Sequence, residues 1–329
     1  MMKKYQYWLI LIALIIVLIL LPKPLIVSVT VSTIITVLLG LALVAVLVLT
    51  LRGHMIGRRT VFLFIGVSLT LPFFMNIRMP IKVSPEVQTL YDAIAKLPPG
   101  SKVLAAFDYD PPSAPELQPQ AEAFMAYAFK HDLKVIVMGL WPQGSQQANM
   151  AIAKVLQQPE IRAKNLRYGV DYVNLGFQSG NEFVIQRMGT SFSGMFPRDI
   201  YNTDYDKIPL LNGVENFSNI DFVFNLSSGY PGTVEWVQIA VDRYGVKVGA
   251  GNTAVQAPSV YPYLSSHKLT GLAGGMSGAA EFEKATKEIG KANTYILSQS
   301  FSHMVVIAFI IIGNAALFVS YRRARQGGA

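Results

Sequence analysis

No cysteine occurs in the 329 residues, so disulfides, thiolate nucleophiles and cysteine-ligated metals are excluded. Histidine is almost as scarce. Only His131 and His267 lie between the apolar ends, too few without cysteine for a zinc site, and no metal or cofactor is expected. Acids are missing from both ends: every Asp and Glu falls between Glu86 and Glu288. Residues 1–78 and 301–329 hold ten of the 28 Lys+Arg, which leaves 18 basic against 20 acidic residues, a net of −2, in the middle. The formal +8 therefore belongs to the flanks of apolar segments. It does not describe a basic surface, and nucleic acid is not an expected partner.

What the ends do contain is long apolar runs. Tyr7–Leu21, Leu25–Leu51 and Val61–Ile77 precede the polar middle and Met304–Ser320 follows it, which predicts three N-terminal transmembrane helices (7–21, 25–51, 61–77) and one C-terminal helix. A helix needs about 20 residues to cross roughly 30 Å of hydrocarbon. Leu25–Leu51 meets this with room to tilt, and the others rely on flanking Tyr, Trp and Lys. Pro22-Lys23-Pro24 separates the first two runs. A Lys-Lys start also suits a signal peptide, but no small-x-small cleavage site precedes Pro22. Lys3 and Lys4, the Arg52/Arg58/Arg59 loop and Arg322/Arg323/Arg325 hold both termini in the cytoplasm. The expected localisation is the cytoplasmic membrane, multi-pass, with the large domain outside. No Asp, Glu, Lys or Arg lies inside the spans, and ion transport usually needs such groups. The spans therefore read as an anchor, with the bilayer a partner.

The organisation that follows is residues 1–78 as spans, 79–300 as an extracytoplasmic α/β domain, and 301–329 as a last span with a basic tail. Ser84-Pro85-Glu86 opens a helix that Pro98-Pro99-Gly100 ends. Strands are predicted at Lys102–Phe107, Lys134–Leu140, Tyr172–Leu175, Ile220–Leu226 and Val246–Val248. Helices are predicted at Ala114–His131, Ser145–Leu156 (Ser145 as N-cap) and Gly232–Tyr244. Apolar strands alternating with helices predict a Rossmann-like, mostly parallel sheet covered on both faces. Lys268–Ala280 holds four glycines and reads as a glycine-rich root for the helix that follows. From Ser277 a helical pattern runs to Ser320 with isolated glycines only, which predicts one continuous rod into the membrane.

Ligands of open α/β sheets sit beyond the carboxyl ends of the strands. The candidate ligand-binding residues there are Asp108 and Asp110 after strand one, Trp141 after strand two, Ser227 and Ser228 after strand four, and Asn252 and Thr253 after strand five. Ser227-Ser228-Gly229 before a helix would suit a small anion. Phe107-Asp108-Tyr109-Asp110 resembles the first motif of the haloacid-dehalogenase phosphatases, and Phe224-Asn225-Leu226-Ser227 resembles their second. That resemblance implies hydrolysis at Asp108/Asp110. It covers only these residues: Pro111 and Pro112 stand where the family has small or β-branched ones, and no paired acidic motif follows strand four. The aspartates otherwise read as the start of a Pro-Pro turn. Gly249-Ala250-Gly251-Asn252-Thr253-Ala254 matches the dinucleotide Gly-x-Gly-x-x-Gly/Ala pattern, but on the last strand with no acid before Glu281, so it reads as a tight turn.

The expected function is recognition or assembly, as a membrane-complex subunit or ligand-sensing module, with other proteins or further copies of the chain as partners. The alternatives are a membrane-anchored hydrolase using Asp108/Asp110, and a solute-binding domain resembling one lobe of the periplasmic binding proteins.

Overall fold

A computed structural model describes residues 29–53, 57–75 and 79–326, and it divides into two compact units. One is Pro80–Ala292; the other comprises the flanking segments up to Met79 and from Asn293 onward.

In chain order the principal elements begin with α1 (Val29–Leu51), α2 (Arg58–Thr70), α3 (Pro85–Ala95), β1 (Lys102–Asp108), α4 (Ala114–Lys130), β2 (Lys134–Gly139) and α5 (Gly144–Leu156). They continue with β3 (Tyr172–Phe177), α6 (Glu182–Met188), β4 (Phe222–Ser227) and α7 (Thr233–Trp236, extended by a π-turn over Val237–Val241). The last are β5 (Val248–Asn252), α8 (Ala257–Ser265), β6 (Leu269–Gly274), α9 (Gly275–Thr286) and α10 (Ala292–Gln326).

Six strands form one sheet in the order β3-β2-β1-β4-β5-β6, each pair parallel. Strands such as KVLAAFD and FVFNLS are buried almost throughout because helices cover both faces. Leu104 and Ala106 of β1 face one core with Trp236 of α7, while Val103, Ala105 and Phe107 face the other with Phe124 of α4. This is the α/β class the sequence predicted.

The sixth strand was not predicted, because LTGLAG reads as a glycine-rich root. Its glycine has a packing cause: a Cβ on Gly271 would lie 2.3 Å from the Leu90 backbone nitrogen, so β6 is bare where α3 crosses it. The Gly249–Ala254 run is likewise no turn. It is largely β5, and a Cβ on Gly249 would meet Leu90 Cδ1 at 2.4 Å. Gly249 thus admits α3, and Gly251 admits Gln120 of α4, whose Oε1 would lie 2.1 Å from a Cβ there. Ser145 lies inside α5, which starts one residue earlier with Gln143 at the cap.

The continuous rod from Ser277 to Ser320 is also broken. Lys287 adopts a left-handed conformation (φ 61°) and ends α9, and the next helix starts at Ala292. The carboxylate of Glu283, almost wholly buried, accepts the Ala292 N–H at 3.0 Å and so supplies the cap that a helix N-terminus lacks. Burial pushes this carboxyl up to about 7, against the pull of the Ala292 and Gly290 N–H groups.

Among the described residues, two helices are long and apolar enough to cross a membrane, Ser32–Leu51 and Ala292–Arg322. The predicted span 7–21 lies outside the described residues. The predicted span 61–77 is not a third such helix. α2 has 13 residues and begins on Arg58-Arg59, and Pro72, without an N–H, turns its end into a 3-10 turn over Leu71–Phe74. Within this unit Phe64 and Phe309 pack edge to face at 5.6 Å, and the Ser298 hydroxyl donates to Leu69 O at 2.6 Å.

Candidate functional site

Sheet order reverses between β1 and β4, and at such a switch point doubly wound sheets open a ligand crevice. Here β1 ends on Asp108 and β4 on Ser227, paired in register. Asp108 extends the Leu104/Ala106 face toward α7 and is completely buried. Its Oδ1 accepts the Leu140 N–H at 2.7 Å, and its Oδ2 accepts Trp236 Nε1 at 2.8 Å and Asn225 Nδ2 at 2.6 Å. Behind Asn225 the donors line up: Thr233 Oγ1 donates to Asn225 Oδ1 at 2.6 Å, and Asn252 Nδ2 donates to Thr233 Oγ1 at 3.0 Å. Each group is thus polarised toward the carboxylate. Burial raises the Asp108 carboxyl to about 7, although the three donors pull it down. Trp236, the largest fully buried side chain among the described residues, fills the space beside it. The crevice floor is occupied by the protein's own side chains.

The loops above this floor are tied together. Trp141 Nε1 donates to Pro231 O at 2.9 Å, Gln256 Nε2 donates to Gly229 O at 3.0 Å, and the Thr253 N–H donates to Ser227 O at 3.2 Å. The Tyr230 hydroxyl donates to Glu182 Oε2 at 2.7 Å, joining the β3 and β4 loops. Glu116 of α4 accepts the Ala254 N–H at 2.7 Å, which brings in the β5 loop. Along this rim large apolar side chains face solvent: Tyr230 is 61% exposed, Phe183 60% and Val255 90%. Phe177, at the end of β3, is also exposed.

The structure therefore brings six of the seven candidate residues to one sheet edge, in different roles. Asp108 and Asn252 are buried in the network. Ser227 turns its hydroxyl onto Gly229 O at 3.1 Å. Ser228 binds Asp108 O through its N–H at 3.1 Å, and its buried Oγ has no hydrogen-bond partner. Thr253 and Trp141 hold the rim. Asp110 begins the Pro-Pro turn and accepts the Ser113 hydroxyl at 2.9 Å. Where the sequence suggested an anion cradle, the Gly232 N–H is met by the Glu235 carboxylate at 2.7 Å, and the α-helical part of α7 is only four residues long.

Asn225, Thr233 and Trp236 were missed. The available signal was Asn225 and Ser227 at alternate positions of an otherwise apolar strand, on the face that Asp108 shares. Among the described residues no three His, Asp or Glu side chains come together in a way that could hold a metal ion. No protein family, curated protein or solved structure matches this chain.

Proposed function

We propose that the chain is a membrane-anchored recognition or assembly subunit whose α/β domain engages a protein partner through the rim at the carboxyl edge of its sheet. One observation carries this reading. The crevice that sheets of this order use for small ligands is filled by the Asp108–Trp236–Asn225–Thr233 network, while exposed Tyr230, Phe183 and Val255 stand at the same edge. Aromatic side chains at an exposed edge are the usual anchors of protein interfaces. A hydrolase would need Asp108 to reach a substrate, and its carboxylate is enclosed and shared among three donors.

Replacing both Phe183 and Tyr230 by serine removes surface aromatics without touching the core. The expected result is loss of the higher-mass complex on native gels after mild detergent extraction, with the unfolding free energy lowered by no more than about 1 kcal/mol, the scale of the one Tyr230–Glu182 hydrogen bond removed. A complex that survives the double substitution defeats the rim reading.

The anchoring reading places the domain outside the cytoplasm, on the strength of the arginines flanking the helices. The chain has no cysteine, so single cysteines report cleanly. Gly57→Cys should be silent to an impermeant thiol reagent on intact cells and Gln157→Cys should label. The reverse pattern refutes the orientation.

A further inference from the structure

The unit of flanking helices holds a groove of about 750 Å³, within the roughly 300–1,000 Å³ range of ligand pockets. Ile65 of α2 and Phe309, Ile310 and Leu317 of α10 make its walls, and Thr50 and Ser320 also line it, their hydroxyls donating to Val46 O and Leu317 O of their own helices. Gly313 lines it with open space, since a Cβ there would have no atom within 4 Å.

Arginines stand close in sequence to this lining just after α1 and at the start of α2. Arg52 precedes the lining Gly53, and Arg58 and Arg59 lie within one turn of Val61. All three are exposed. On α10 the Arg322 guanidinium lies 4.6 Å over the Phe318 ring, on the helix face away from the lining. No Asp or Glu occurs before Glu86 or after Glu288, so none of these arginines has an acidic side chain within its own unit. An apolar groove flanked by uncompensated guanidinium groups is complementary to a molecule with apolar chains and an anionic head.

We propose that this groove binds an anionic phospholipid, with acyl chain against Ile65, Phe309, Ile310 and Leu317 and phosphate among Arg52, Arg58 and Arg59. The proposal rests on the membrane reading above but not on which side the domain lies, so cysteine labelling and lipid binding fail independently.

The test is native mass spectrometry of the full chain in detergent with added phosphatidylglycerol, phosphatidylcholine or inorganic phosphate. Wild type should retain phosphatidylglycerol at least tenfold over phosphatidylcholine, and excess inorganic phosphate should not displace it. Each arginine near a membrane surface is worth about fivefold in attraction to anionic lipid. The triple variant Arg52→Gln/Arg58→Gln/Arg59→Gln should therefore lose the adduct. Gly313→Leu puts a side chain into the groove from a position where its Cβ meets no atom within 4 Å, and should reduce retention at least fivefold.

Equal retention of the two lipids overturns the proposal. Displacement by phosphate alone reduces the site to a free-anion site and also overturns it. Full retention by Gly313→Leu means attraction at the surface only, and the groove has no part. If wild type retains neither lipid and runs as a dimer that Gly313→Leu dissociates, the groove takes a second copy of the chain and the proposal is wrong.

Discussion

Asp108→Ala is expected to lower the unfolding free energy of the α/β domain by about 3–5 kcal/mol, the scale for removing one partner from a buried charged network. The substitution leaves the Leu140 N–H, the Trp236 indole and the Asn225 amide without their acceptor in a site closed to water. Each orphaned buried donor costs about 1–3 kcal/mol. The loss should spread to Thr233 and Asn252, whose donors point down the same chain. Asp108→Asn keeps the volume but turns an N–H₂ toward one of the donors, so it should fall between, at about 1–3 kcal/mol. Denaturant titration of the detergent-solubilised chain, followed by tryptophan fluorescence, reads both. A midpoint for Asp108→Ala within about 0.5 kcal/mol of the parent would show that the carboxylate is not structural, and the hydrolase reading would regain its ground.

Stability should also fall as pH rises from about 5 to 7.5. Asp108 and Glu283 are both raised by burial to about 7, above the roughly 4 of an unfolded carboxyl. Between those values the folded chain binds more protons than the unfolded one, so unfolding free energy decreases with pH and levels off above 7. The contribution is fully present below the unfolded pKa and is lost as the folded groups ionise. At about 1.4 kcal/mol per pK unit, the two groups together amount to several kcal/mol, or on the order of 10 °C in the thermal midpoint. Asp171, held low by Lys134 although burial opposes it, acts in the opposite sense, and its contribution is lost only below about pH 4. Glu283→Gln should flatten part of the profile. A midpoint that climbs between pH 5 and 7.5 contradicts the buried-carboxyl account.

The strand–helix alternation was legible because β1, β2 and β4 are apolar runs bounded by Pro, Gly and polar turns. β6 was not, because the glycine that lets α3 lie on it removes the apolar signal that marks a strand. The fifth strand was predicted at Val246–Val248 and lies at Val248–Asn252, because the glycines that carry it on suggested a turn and serve packing instead. Asp108 and Ser228, taken from two strand ends, do fall at one edge of the sheet, yet the sequence could not say whether that edge is open. Whether Asp108 faces solvent depends on Trp236, which is distant in sequence and reaches it only when α7 folds back over β1 and β4. The break between α9 and α10 was hidden for a similar reason. No Pro marks it, and its cause is Glu283 capping a helix that begins nine residues later.

The central claim, recognition of a protein partner at the rim, is tested most directly by photocrosslinking in intact cells. Benzoylphenylalanine would replace Tyr230, Phe183 or, for comparison, the exposed Met150 of α5. The account predicts one discrete, light-dependent adduct with the same identified protein at positions 230 and 183, and none at 150. The absence of an adduct at both rim positions, or the same adducts at all three, would contradict it.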